Sequence, residues 1–161
     1  MKRNVLIILG AVVTALLAGC STTTPVVLAP VGPNPARVPT ASAQGQLEVF
    51  SALSGRREGN NPTWYQHTDY SVYNSQGKKL EQVWNSTGHY DQTPRVIALP
   101  AAKYIIEARA NNILEARVPV VIEAGKITKV HLDGQWQPPS DTPQPAVVKT
   151  PGGYPVGWHA E

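Results

Sequence analysis

Residues 117–132 read RVPVVIEAGKITKVHL. Val118, Val120 and Ile122 alternate with Pro119, Val121 and Glu123; Ala124-Gly125 interrupts the run, and Val130 and Leu132 resume the apolar face. Successive side chains of a strand leave opposite faces, so this alternation predicts two strands half-buried against one core. The glycine between them predicts a tight turn, and the pair reads as a hairpin.

Working outward, Arg95–Leu99 and Lys103–Ala110 flank Pro100-Ala101-Ala102 and predict a second hairpin, with Tyr104, Ile106 and Ala108 on one face. Asp69–Asn74 and Lys79–Trp84 flank Asn74-Ser75-Gln76-Gly77, a turn sequence with glycine where a positive φ is needed, and predict a third. Leu47, Val49 and Leu53 alternate with Glu48 and Ala52 as a further strand, which Gly55–Thr63 breaks. Six or seven short strands over residues 46–133, with no helical period, predict an all-β fold: a small antiparallel sandwich.

The flanks differ in composition. Residues 20–45 carry Pro25, Pro30, Pro33, Pro35 and Pro39 and no periodicity, which predicts a linker of about 25–30 Å mean span. Residues 134–161 return to proline, glycine and polar side chains, which predicts a disordered tail carrying Trp136, Tyr154 and Trp158.

Residues 1–19 have the layout of a secretory signal. Lys2 and Arg3 precede an uncharged run from Val5 to Ala18 in which only Thr14 is polar. As a helix that run rises about 21 Å, short of the roughly 30 Å needed to span a bilayer. It ends in Leu17-Ala18-Gly19-Cys20, and Cys20 is the sole cysteine. The pattern resembles the bacterial lipoprotein signal, or lipobox. That resemblance implies that Cys20 becomes the first mature residue and carries a thioether-linked diacylglycerol. Two or more acyl chains anchor stably where one is marginal. Ser21 resembles the residue that directs such proteins to the outer membrane, facing the periplasm. The alternative is an ordinary cleaved signal that ends near a cysteine.

The whole chain carries 14 basic and 11 acidic side chains. Loss of the signal removes Lys2 and Arg3, leaving 12 against 11. No basic patch or stripe argues for nucleic acid. With one cysteine there is no internal disulfide, so the domain stands on its apolar core.

Leu99-Pro100-Ala101-Ala102-Lys103-Tyr104, then Val118-Pro119-Val120-Val121-Ile122 and Ala124-Gly125-Lys126-Ile127-Thr128, resembles the Ig-like, transthyretin-like sandwiches called carboxypeptidase regulatory-like domains. The resemblance implies that fold over about residues 93–133 and a noncatalytic binding or spacing role. Ala102 stands where those domains usually have a turn glycine.

Two sets of residues are candidates for chemistry. His67-Thr68-Asp69, His89-Tyr90-Asp91 and His131-Leu132-Asp133 each place an imidazole and a carboxylate on one strand face. His89, Asp91, His131 and Asp133 are the metal candidates if the pairs converge, and the alternative function is then that of a metal-binding, hydrolytic envelope protein; otherwise they are solvated turn and strand-end residues. Trp64, Tyr65, Tyr70, Tyr73, Trp84 and Tyr90 can form a stacking surface for a glycan such as peptidoglycan or for an envelope protein, with Trp64 and Tyr65 the pair to test first. The competing reading packs Tyr70 and Trp84 in the core. Asp69 and Glu81 are placed to meet across a hairpin. No nucleophile elbow or phosphate-cradling loop is present, and no cofactor is expected.

Overall fold

The computed structural model describes residues 24–35, 43–56, 59–60, 63–88 and 91–160. The signal, the lipobox with Cys20, and His89 lie outside the described residues. Twelve strands form among those described: β1 (Val26–Val27), β2 (Gln44–Phe50), β3 (Leu53–Arg56), β4 (Trp64–His67), β5 (Tyr70–Asn74) and β6 (Lys79–Val83) are followed by β7 (Val96–Pro100), β8 (Ala102–Ala110), β9 (Ile113–Ile122), β10 (Ile127–His131), β11 (Val147–Lys149) and β12 (Pro155–Trp158). The fold is all-β, as the alternation predicts.

Two sheets face each other. One has five strands in the order β1-β9-β8-β5-β6, the other three in the order β10-β2-β7. Their inner faces meet in a core of Leu47, Val49 and Val130 from the small sheet against Tyr70, Val72, Ile106, Val118 and Val120 from the large one, all 1 % exposed or less. Each aliphatic side chain among them contributes about 1.5–3 kcal/mol by leaving water. The inward parity of β8 and β9 is the parity read from the sequence.

The hairpin Asp69–Trp84 forms as expected: β5 pairs antiparallel with β6, and Gly77 takes φ +80° in the turn. The other two expected hairpins do not form. β7 pairs with β2 while β8 pairs with β5 and β9, so Pro100-Ala101 is a corner between sheets. The Tyr104 hydroxyl closes that corner by donating to the Pro100 carbonyl at 3.0 Å. Likewise β9 stays in the large sheet while β10 pairs with β2, and Ala124-Gly125 carries the chain across. Gly125 sits at φ +73° and donates to the Gln44 carbonyl, while a Cβ on Gly45 would lie 2.2 Å from the Glu123 carbonyl oxygen. The corner needs both glycines. The hairpin that does form here is β8–β9, turning at Asn111-Asn112.

Two ladders are parallel, a departure from the purely antiparallel expectation: β10 runs alongside β2, and β1 alongside β9. The β1 ladder also corrects the reading of residues 20–45 as linker throughout. Leu28 and Val31 are buried in the core, Val31 bridges to Val120 and to His159, and Pro33 bridges to Thr128. The prolines are tolerated because this segment lies along a sheet edge.

The C-terminal flank is ordered rather than disordered. β11 and β12 form a ribbon, and Val148 and Val156 enter the core. Gly157 lets this ribbon cross β10 closely, since a Cβ there would lie 2.7 Å from Val31 Cγ1 and 2.8 Å from the Lys129 carbonyl oxygen. A few apolar side chains at correct spacing outweigh the proline and glycine content around them.

Candidate functional site

One end of the sandwich is concave. Beyond Phe50 the chain leaves the small sheet at Ser51-Ala52, and β3 and β4 form a ribbon that folds toward the end of the large sheet. The ribbon is pinned there: Ala52 N–H donates to the Arg109 carbonyl at 2.8 Å and Leu53 N–H to Asn111 Oδ1 at 3.1 Å.

Asn85 holds the ribbon from below. It is fully buried, and its Nδ2 donates to the Val49 carbonyl at 2.8 Å and to Ser51 Oγ at 3.1 Å. Its Oδ1 accepts from Arg95 N–H, and its own N–H donates to Asp69 Oδ1 at 2.9 Å. A buried amide with its donors and acceptors engaged fixes local geometry.

The cleft under the ribbon, about 760 Å³, is lined by Ser54, Gln66, Asp69, Trp84, Ser86 and Arg109 among others. A second hollow of about 520 Å³ shares Ser54, Gly55, Thr68 and Arg109 and continues past Asn111 to Leu114. Register explains the lining. Tyr70 faces Val83 on one side and Ala108 on the other, so one step outward sets Asp69 between Trp84 and Arg109. Tyr70, Val83 and Ala108 point into the core, so these three neighbours leave on the opposite face, with strands about 4.8 Å apart. An indole and a carboxylate one residue beyond β6 and β5, and a guanidinium near the end of β8, thus line one cleft.

Trp84 is 67 % exposed, against the expectation that it packs in the core. Among the described residues Arg109 has no ion-pair partner, whereas Arg117 on the same sheet face donates to Glu107 Oε2 at 2.6 Å. Asp69 faces Trp84 and not Glu81, which sits opposite Val72.

The pair expected to stack on a ligand is divided. Trp64 and Tyr65 are consecutive in β4, so their side chains leave opposite faces of the ribbon. Tyr65 lies over Gly55, where a Cβ would come within 3.1 Å of its ring, and is 48 % exposed; Trp64 is half-buried.

Asp91, His131 and Asp133 are the metal candidates among the described residues. Asp91 is exposed, accepting from Thr87 Oγ1 at 3.0 Å and from Thr93 N–H at 2.8 Å, and the backbone bond from Thr93 holds its carboxyl below the usual range. His131 is buried with Phe50 stacked on one face of its ring (centroids 4.3 Å, 16°) and Trp136 on the other (4.8 Å, 10°). Trp158 meets Trp136 edge-on, and His67 meets Phe50 edge-on while donating from Nδ1 to the Ser51 carbonyl at 2.6 Å. Burial, helped by Lys129 and His67, depresses the His131 pKa to about 3, so the ring is neutral. Burial raises the Asp133 carboxyl. Among the described residues no group of three or more His, Cys, Asp or Glu can hold a metal ion.

The row Trp84, Asp69 and Arg109 was missed as a site by sequence reasoning, although the Asp69–Trp84 hairpin already placed its first two members opposite each other. No family model, curated protein or solved structure matches this chain.

Proposed function

We propose that this chain is a lipid-anchored protein of the bacterial envelope whose β-sandwich is a noncatalytic binding module. The anchor rests on Leu17-Ala18-Gly19-Cys20 after a short apolar run. The observation that carries the binding reading is the cleft, lined by an exposed indole and by a guanidinium that has no ion-pair partner among the described residues. An aromatic plane and a guanidinium lining one concave site are groups that a polar ligand with an apolar face can use.

A transthyretin-like ancestry of the sandwich is part of this reading, supported by the Tyr104 hydrogen bond to Pro100 within the Leu99–Tyr104 stretch that carries the resemblance. Binding is favoured over spacing because the fold begins at β1. Five residues lie between Cys20 and Val26, a reach of at most about 22 Å fully extended. Such a tether keeps the module beside the lipid, where confinement raises the effective concentration of any membrane-proximal partner.

Growth on labelled palmitate tests the anchor. The label enters the wild-type chain and not Cys20→Ala, and Cys20→Ala leaves the membrane fraction. Absence of label from the wild type, together with unchanged fractionation of Cys20→Ala, overturns the anchored reading.

A further inference from the structure

We infer that the cleft under the β3–β4 ribbon is a saccharide site, with Trp84 as the stacking platform and Asp69 and Arg109 as the hydroxyl-recognising pair. The inference rests on the binding-module reading above and names its ligand class.

A pyranose has one face of C–H bonds and an equatorial rim of hydroxyls. The C–H face is matched by an aromatic plane, and hydroxyls that both donate and accept are matched by a carboxylate beside a guanidinium. The cleft supplies these three groups from Trp84, Asp69 and Arg109. Asp69 is presented with Oδ1 held by the Asn85 N–H at 2.9 Å, which orients its other oxygen. Among the described residues Arg109 makes no ion pair, with Asp69 or with any other carboxylate. The one Arg–Glu pair on this face, Arg117 with Glu107, is two registers further along and spent on itself.

Other ligand classes fit less well. A nucleotide or phosphate would meet Asp69 at the centre of the row. An apolar peptide would find its walls made by Ser54, Gln66, Ser86 and Arg109. A second hollow of about 520 Å³ toward Leu114, itself 67 % exposed, adjoins the cleft at Ser54, Gly55, Thr68 and Arg109.

The test uses the full mature lipoprotein in a detergent without a sugar headgroup, because glycosidic detergents would compete. Saturation-transfer NMR and calorimetry are run with chitotetraose and with soluble peptidoglycan glycan strands as free saccharides, and with a glycolipid in mixed micelles as the lipid-linked form. The expected result is binding of at least one probe, with Trp84→Ala and Arg109→Ala each weakening it tenfold or more while thermal unfolding is unchanged. Asp69→Asn keeps the bond to Asn85 and weakens binding less. Preference for the free strands assigns a wall polymer, and preference for the micellar form assigns a membrane glycolipid.

The saccharide inference is overturned if no probe binds at millimolar concentration, or if probes bind equally to the Trp84 and Arg109 variants. A photo-crosslinker at position 84 in native cells separates the two levels. Capture of one protein there removes the saccharide inference and keeps the binding module; neither saccharide binding nor any capture removes both.

Discussion

Two clusters in this molecule combine aromatic rings with ionisable side chains, and they differ in what their groups still lack. On the outer side of the small sheet, Phe50, His131 and Trp136 form a continuous stack, closed by His67 and Trp158 at its margins. Every ring face inside that column is covered. At the end of the large sheet, Trp84, Asp69 and Arg109 stand in a row with an open face toward a cleft. The histidines drew attention in the sequence because of their spacing from aspartates, yet their column is an adhesive for the C-terminal segment. The row has no sequence motif and keeps unused bonding capacity. Residue type marks both clusters; only the tally of satisfied groups separates structure from recognition.

The sharpest way to break this contrast is acid. The folded protein keeps His131 neutral down to about pH 3, while the unfolded chain protonates it near 6.5. Below pH 6.5 the unfolded state therefore takes up a proton that the folded state refuses, and stability falls by about 3 kcal/mol by pH 4. Asp133 works the other way: burial raises its carboxyl, so its contribution is present at low pH and is lost as pH rises through that raised value. Urea midpoints between pH 7 and 4 should show the His131 loss, and His131→Phe, which keeps the stack, should flatten it. An unchanged acid slope in His131→Phe would show that the column is not what acid attacks.

A somewhat smaller effect sharpens the adhesive role. Gly157→Ala puts a methyl against Val31 and the Lys129 backbone, and is expected to cost about 2 kcal/mol. The ribbon should loosen first, seen as faster amide exchange at Val148 and Val156 than at Ile106. Uniform exchange across the domain would contradict a locally docked segment.

The smallest effect belongs to the row. Arg109→Ala and Trp84→Ala remove exposed side chains whose loss leaves no cavity, so each should change folding stability by no more than about 0.5 kcal/mol. A large loss of stability in either would mean that the row is structural like the column.

Much of the fold was legible. The period-2 alternation in β8 and β9 needs a buried face, and Tyr104, Ile106, Val118 and Val120 provide it. Asn74–Gly77 marked a turn because the chain there reverses within one sheet. The same signals misled at Pro100-Ala101 and Ala124-Gly125, since a short turn looks alike whether the chain returns beside itself or steps to the facing sheet. What decides is long-range pairing with β2, to which no local residue testifies. The flanks were misjudged for a related reason: proline excludes a central strand, but Val31, Val148 and Val156 need only an edge and a pocket. The candidate site was half legible, because Asp69 opposite Trp84 follows from the hairpin, whereas Arg109 joins them only through the β5–β8 register.

If Cys20 is the anchor, as proposed, the parallel ladder of β1 with β9 bears on which end of the domain lies nearest the lipid. Val26 lies beside Ala116, so β1 begins at the Ile113 end of β9, the tip where Arg109 and Leu114 lie. An acylated residue 20 would therefore dock that tip downward, with the hollow looking sideways along the headgroups instead of out into the periplasm. Molecules that lie flat against the bilayer would reach it more readily than those arriving from above.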